Sequence, residues 1–335
     1  MGLEGGEYTM KLDRLGDITS ELSSNLVRSI VLPGGLLEWL SRPLPERLRD
    51  RLSSGLSGRF GDQAEQARPG VAGGPLVLMG GYPVPDESIV AMIHLSGGRS
   101  AKLAIIPVAT REHAQAAEQG SKLFTRFGMR NLHVLELTTR ERAESPEWTA
   151  QLAGFDAVFL CGEDESIGLE VLRGSLAEKT LKEMLVAGKP VAGVSAGAAI
   201  LADRLILRTD GAETLTRGLG LAPGLLVDTH FTQQARFTAL SKALNLELAA
   251  GQMGMGLDGG SAVAIRDGEA KVLGDGSVTF LDLKDTVVVS DEAHTPPGAV
   301  YGLKVHVLLD GYVMNLRSRR PSGPAKDTPQ AVGER

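Results

Sequence analysis

The feature that most constrains this chain is an alternation that begins at Pro75. Leu76-Val-Leu-Met79 is an apolar run that ends in Gly80-Gly81, and Ser88 to Leu95 then has helical periodicity and closes at Gly97-Gly98. Lys102 to Val108 reads as a buried strand, Glu112 to Phe127 as a helix ended by Gly128, Asn131 to Leu137 as a strand and Pro146 to Leu152 as a short helix. Asp156 to Cys161 is another strand, turning at Gly162 to Ser166, and Ile167 to Ala187 is helical with an interruption near Gly174. Near-continuous apolar strands separated by helices predict an α/β fold: a mostly parallel sheet with helices on both faces. Right-handed crossovers follow, and reactive groups belong beyond the carboxyl ends of the strands.

The last of these units is Pro190-Val-Ala-Gly-Val-Ser195-Ala-Gly-Ala-Ala-Ile-Leu201. It reads as a strand, a tight turn and an alanine-rich helix, and it places G-x-S-x-G across the turn. That is the sequence of a nucleophile elbow in its required context. Glycines two residues either side of Ser195 let the backbone fold sharply under a strained serine. The turn lifts Oγ off the sheet and aims the first free amides of the helix toward it.

Beyond Leu201 the strands shorten. Leu205 to Arg208, Leu225 to Phe231, Ala262 to Arg266, Lys271 to Leu273, Val278 to Leu283, Thr286 to Val289 and Leu303 to Leu309 have strand character, and Gln233 to Leu248 reads as a helix. Asp267-Gly268 and Asp275-Gly276 are hairpin signals. Residues 1–73 differ from all this. Leu12, Leu15, Ile18 and Leu22 recur at helical spacing, Leu36, Leu37, Trp39 and Leu40 cluster, Glu46 to Leu56 is amphipathic, and residues 61–74 are linker-like. These features predict an N-terminal helical extension over residues 1–73, packed on its own domain or on a twin subunit in a homodimer. A catalytic domain over 74–315 and a polar disordered tail over 316–335 complete the expected organisation.

Composition excludes several functions. The net charge is −6 with no long basic run, which argues against nucleic acid and anionic membrane as partners. No apolar stretch reaches the length of a membrane span. Cys161 is the only cysteine, so neither an intrachain disulfide nor a cysteine-based metal site is expected, and a reducing cytoplasm is compatible. No metal or cofactor is called for.

A serine nucleophile needs a base. Of six histidines, His94, His113 and His133 lie on elements that suggest surface or packing roles, and His294 lies in a Pro-rich loop. His230 ends the run Leu225-Leu-Val-Asp-Thr-His230 downstream of the elbow and is the preferred general base. An oxyanion needs preorganised amides; Ala196 supplies one and the turn at Gly162-Glu163 the other, each worth about 3 kcal/mol in the transition state. Cys161 reads as a small strand-end residue.

Gly80-Gly81, Ile105-Ile-Pro107, Phe159 to Asp164, Gly193 to Ala199, Gly218-Leu-Gly-Leu221, Asp228-Thr-His-Phe231 and Gly256-Leu-Asp258 occur in an order that resembles the S51 serine peptidases, cyanophycinase-like members above all. The resemblance covers about Pro75 to Leu283. It implies a sandwich like the class I glutamine amidotransferases and metal-free cleavage of β-aspartyl or Asp–X bonds in a peptide or isoaspartyl peptide. It makes Ser195 the nucleophile and His230 the base, with Asp164, Asp228, Thr229, Gln233, Gln234, Arg236 and Ala239 at the substrate pocket and Arg236 as partner of a substrate carboxylate.

The chain departs from the family pattern at several points. Gly259 stands where the family carries its third triad member, a glutamate, leaving Asp258, Asp210 or Glu213 as replacements. Cys161-Gly-Glu-Asp164 replaces G-G-D-Q, and two pocket arginines become Gln234 and Ala239. Two rival readings follow. One is a catalytically impaired homologue that binds a peptide or partner. The other is an esterase whose base is His294 or His306.

Overall fold

The apolar runs of the first half are strands because both of their faces are covered. A computed structural model describes residues 35–41, 74–246, 251–284, 286–289 and 299–323. Its first half runs α1 (Leu36–Ser41), β1 (Leu76–Met79), α2 (Asp86–Leu95), β2 (Leu103–Ala109), α3 (His113–Thr125), β3 (Leu132–Val134), α4 (Arg140–Ala143), α5 (Pro146–Ala153), β4 (Ala157–Gly162), α6 (Glu165–Leu172), α7 (Leu176–Val186), β5 (Val191–Val194) and α8 (Ala196–Ala199). The second half is β6 (Ala202–Thr209), β7 (Ala212–Arg217), β8 (Ala222–Thr229), α9 (Phe237–Leu246), β9 (Met253–Leu257), β10 (Ala262–Arg266), β11 (Glu269–Leu273), β12 (Val278–Asp282), β13 (Val287–Val289), β14 (Ala299–Tyr301), β15 (Lys304–Leu308), β16 (Val313–Asn315) and β17 (Arg320–Ser322).

The larger sheet has the order β17-β16-β11-β10-β1-β5-β4-β2-β3. From β1 to β3 every pairing is parallel, as the βα pattern requires. From β1 toward β17 the pairings are antiparallel, with β10–β11 and β16–β17 each joined directly by a short turn. A smaller sheet, β15-β12-β9-β8-β6-β7, has a parallel centre of β6, β8 and β9.

The layers stack as a sandwich. On one face of the large sheet, Val77, Met79 and Phe159 pack against Leu36 and Trp39 of α1, Ile89 and Met92 of α2 and Phe124 of α3. The rings of Phe124 and Phe159 meet edge to face at 5.1 Å. On the other face, Leu78, Ile106 and Leu160 pack against Leu169, Leu181 and Ile200, and through these on Val227, Met255 and Phe280 of the smaller sheet. Helix α9 closes the outer side of that sheet through Leu240 and Leu244. Removing one such fully buried phenylalanine costs about 3–5 kcal/mol.

Local chemistry sets the boundaries. The expected interruption near Gly174 is real: α6 ends before it, Gly174 takes φ 74°, and the Ser175 hydroxyl accepts the Glu178 amide at 3.1 Å to start α7. The Asp267-Gly268 hairpin joins β10 to β11 with both residues at positive φ, as a type I′ turn demands.

Three expectations need correction. Asp275-Gly276 is not a hairpin, since β11 and β12 belong to different sheets and the dipeptide carries the chain between them; the Gly276 amide bonds the Gly260 carbonyl at 2.9 Å. Helix α9 starts at Phe237 rather than Gln233, after a series of turns. The tail does not begin at 316, because Leu316 is fully buried and β17 pairs with β16. Strands β7, β9, β14, β16 and β17 and helix α4 were not foreseen.

Of the N-terminal extension, α1 lies on its own domain. Leu36, Trp39 and Leu40 are buried, the Trp39 indole donates to Glu269 at 3.0 Å and the Arg266 guanidinium donates to the Leu40 carbonyl at 2.6 Å. The other apolar repeats at 12–31 and 46–56 and the tail after 323 lie outside the described residues.

Candidate active site

Ser195 follows β5 directly and takes φ 52° and ψ −123°, a conformation L-residues rarely adopt. The flanking glycines permit it. A Cβ on Gly193 would collide with the Gly197 carbonyl, and one on Gly197 with the carbonyl of Leu160 in β4. The Ser195 amide donates to the Met79 carbonyl at 3.0 Å, anchoring the turn on β1. Helix α8, shorter than the alanine run suggests, begins at once, and its first amides have no carbonyl within the helix to bind.

His230 follows β8, so the candidate base arrives from the smaller sheet. It too has positive φ, 50°, and its amide donates to the Gly80 carbonyl at 3.0 Å across the two sheets. Its Nε2 lies 2.9 Å from Ser195 Oγ. Among the described residues this is the only side-chain hydrogen bond His230 makes. Burial first, and then the Arg236 charge, lower its pKa; Asp228 opposes them. The imidazole is therefore neutral at neutral pH, as a base must be.

Beneath the histidine lies a buried charge cluster. Asp228, 3% exposed, accepts from Arg208 at 3.1 and 2.7 Å and from Arg236 at 2.6 Å. Arg236 also donates to the Thr229 carbonyl at 2.9 Å and to the Gln234 side chain. Arg208 also pairs with Glu213 at 3.3 Å, which leaves Arg236 as the cation whose charge the imidazole feels most.

The model of peptidase family S51 matches residues 76–273. The chain is 31% identical over 237 residues to a cyanophycinase of Synechococcus elongatus, covering 67% of this chain and 73% of that protein. It is 32% identical over 236 residues to a cyanophycinase of Trichormus variabilis, covering 67% and 78%. The chain belongs to peptidase family S51. Its fold is also similar to a crystal structure of a peptidase from an acI-B1 actinobacterium, with TM-score 0.55 and 22% identity over 74% of this chain and 98% of that one.

Against the S51 pattern, the three candidates for the missing acid are placed elsewhere. Asp258 has both oxygens engaged: Oδ1 accepts the Thr232 amide at 2.9 Å and Oδ2 the Ser277 hydroxyl at 2.6 Å. It organises the loop after His230 and does not bond the imidazole. Glu213 pairs with Arg208 at 3.3 Å on an outer strand. Asp210 sits with Gly211 at the β6–β7 hairpin tip, at φ 52° and 77°, where small polar residues suit a type I′ turn. Gly259 itself approaches a neighbouring carbonyl: a Cβ there would stand 2.7 Å from the Tyr82 oxygen, and its amide donates to Gln233 at 3.1 Å.

Other expected residues divide. Asp164 caps α6, accepting the Ser166 and Ile167 amides at 2.9 and 3.3 Å, so an anion in that turn serves the helix end. Gly162 is no ordinary turn glycine; at φ 141° its α-carbon lies against the Ala109 backbone, with no space for a Cβ. Glu163 accepts the Thr110 hydroxyl at 2.6 Å and lines a cavity of about 240 Å³ with Glu112, Gln115 and Gln119. Thr229 is buried with its carbonyl on Arg236, and Ala239 packs beside the α9 core. Cys161 is buried against the Ala116 carbonyl at 3.5 Å, and burial pushes its thiol up to about 12. His306 lies on β15, paired with Phe280 at the far edge of the smaller sheet, and His294 lies outside the described residues.

Two participants were missed. Arg208 sits on β6, and only the pairing of β6 with β8 brings it to Asp228. Glu165, first residue of α6, feels the Arg236, Asp228 and Arg208 charges, and burial raises its pKa. Neither had a local sequence signal. No described helix is long and apolar enough to cross a membrane.

Proposed function

We propose that the chain is a serine hydrolase that cleaves an aspartyl or β-aspartyl bond in a peptide or isopeptide. The observation that carries this reading is the 2.9 Å contact between Ser195 Oγ and His230 Nε2. Ser195 Oγ attacks the carbonyl carbon as Nε2 takes its proton. The Ala196 and Gly162 or Glu163 amides receive the oxyanion. His230 returns the proton to the leaving amine as the C–N bond breaks, and a water deprotonated by the same nitrogen releases the acid. The Arg236 guanidinium near His230 supports an anionic group on the acyl side, sharing its donors with Asp228. Family membership supports a peptide-type substrate.

Hydrolysis of β-aspartyl dipeptides by the wild type and its loss in Ser195→Ala is the expected result. Equal hydrolysis by both proteins overturns the reading. A second reading is favoured by the lack of a carboxylate on His230 among the described residues: a binding module with a dormant site. A fluorophosphonate separates the two, since stoichiometric labelling of Ser195 requires an activated nucleophile.

A further inference from the structure

We propose that Gly81 is the positioning residue of this site: its bare backbone face holds the His230 imidazole toward Ser195, the task a carboxylate performs in a triad. The inference rests on the Ser195–His230 reading above.

Three observations meet at the ring. First, among the described residues Nδ1 has no hydrogen-bond partner, so a carboxylate does not set the ring orientation. Second, Gly81, at φ 146°, lies flat against the imidazole; a Cβ there would come within 2.6 Å of both Nδ1 and Nε2, and closer still to Cε1. Third, the backbone at His230 is fixed by its own amide on the Gly80 carbonyl, next to Gly81, and by the following amide, Phe231, on the Leu257 carbonyl of β9 at 3.1 Å. The base is thus wedged between a glycine face and the serine it serves. Neighbouring Gly80 has a different task, since a Cβ there would meet the Asp258 and Leu257 backbone. Orientation by packing fixes the plane of the ring and the aim of Nε2. It leaves Nδ1 without a carboxylate partner among the described residues.

The test uses fluorophosphonate labelling of Ser195, which needs no substrate binding. Gly81→Ala is expected to lower the Tm, because position 81 has positive φ, to keep the far-UV spectrum of the folded protein, and to label about 100-fold or more slowly, the order of loss for a displacement near 1 Å. His230→Gly gives a second measurement that does not depend on Gly81→Ala folding. Position 230 has φ 50°, which glycine adopts freely, so this variant retains the slot. It is expected to be inert alone and to label when free imidazole is added, because the slot itself orients the ring. Adding Gly81→Ala to it should abolish that rescue. Wild-type labelling with an unchanged rate in folded Gly81→Ala, or no rescue by imidazole, overturns the proposal while leaving Ser195–His230 intact. An inert wild type sinks both.

Discussion

Arg236 Nη1 stands 2.6 Å from Asp228 Oδ1, two residues before the base, and this pair ties the start of α9 to the end of β8. With Arg208 on the other side, the Asp228 carboxylate is nearly inaccessible. A buried ion pair adds little over an apolar replacement, but removing one partner leaves the others uncompensated. Asp228→Asn keeps the shape and deletes the charge. It is expected to lower the unfolding free energy by about 3–5 kcal/mol, read by urea denaturation. It also removes the interaction that raises the His230 pKa, so any retained activity should extend to lower pH.

The second prediction concerns pH. Burial and Arg236 hold the His230 pKa below its ordinary 6.5. The neutral ring is the working form, so the labelling rate of Ser195 should rise with pH through an apparent pKa below that value and be level above it. Stability has the same sign. A depressed folded pKa means that the unfolded chain binds more protons in the window just below 6.5, so stability falls as pH drops through it. His94 is depressed by burial too, which makes the stability profile a shared signal and the rate profile the specific one. A rate limb at or above 6.5 would contradict the environment described for His230.

Asp258 offers a third test. As a triad acid its replacement by asparagine would cost about 10⁴ in kcat, through loss of the correct tautomer. Here it receives Thr232 and Ser277, and an amide oxygen still accepts one of those bonds. Asp258→Asn is therefore expected to destabilise the fold by about 1–3 kcal/mol. Its labelling rate should stay within tenfold of wild type, and a drop toward 10⁴ would return Asp258 to the triad.

What could be read in advance follows a physical division. The tight turn at Ser195 and its glycines were legible because an elbow imposes its residues locally, and His230 was legible as a histidine at a strand end downstream of that turn. The partners of His230 were not. Asp258 is adjacent to the expected position of the acid, yet its oxygens face Thr232 and Ser277, which come from two other segments. Likewise Asp267-Gly268 and Asp275-Gly276 are the same dipeptide, and only sheet membership makes one a hairpin and the other a crossing. Asp164 read as a pocket acid because its turn lies at the site; its carboxylate is bound to the helix it caps.

The last prediction separates nucleophile from bystander. Class I amidotransferases use a cysteine at their elbow, and this chain has one cysteine within two strands' reach of Ser195. Cys161 lies near the end of β4, the strand paired with β5, but its side chain is buried against the Ala116 and Ile106 carbonyls on the face packed by α3. A thiol with its pKa near 12 is almost wholly protonated at pH 8, and the thiolate is the reactive form. Native protein should thus resist a disulfide-exchange reagent for as long as it stays folded, and react with one equivalent in denaturant. Cys161→Ser should retain full labelling at Ser195, with a stability loss of about 1–3 kcal/mol from the hydroxyl placed in an apolar site. Rapid native modification of Cys161 accompanied by loss of labelling would instead place the thiol in the chemistry.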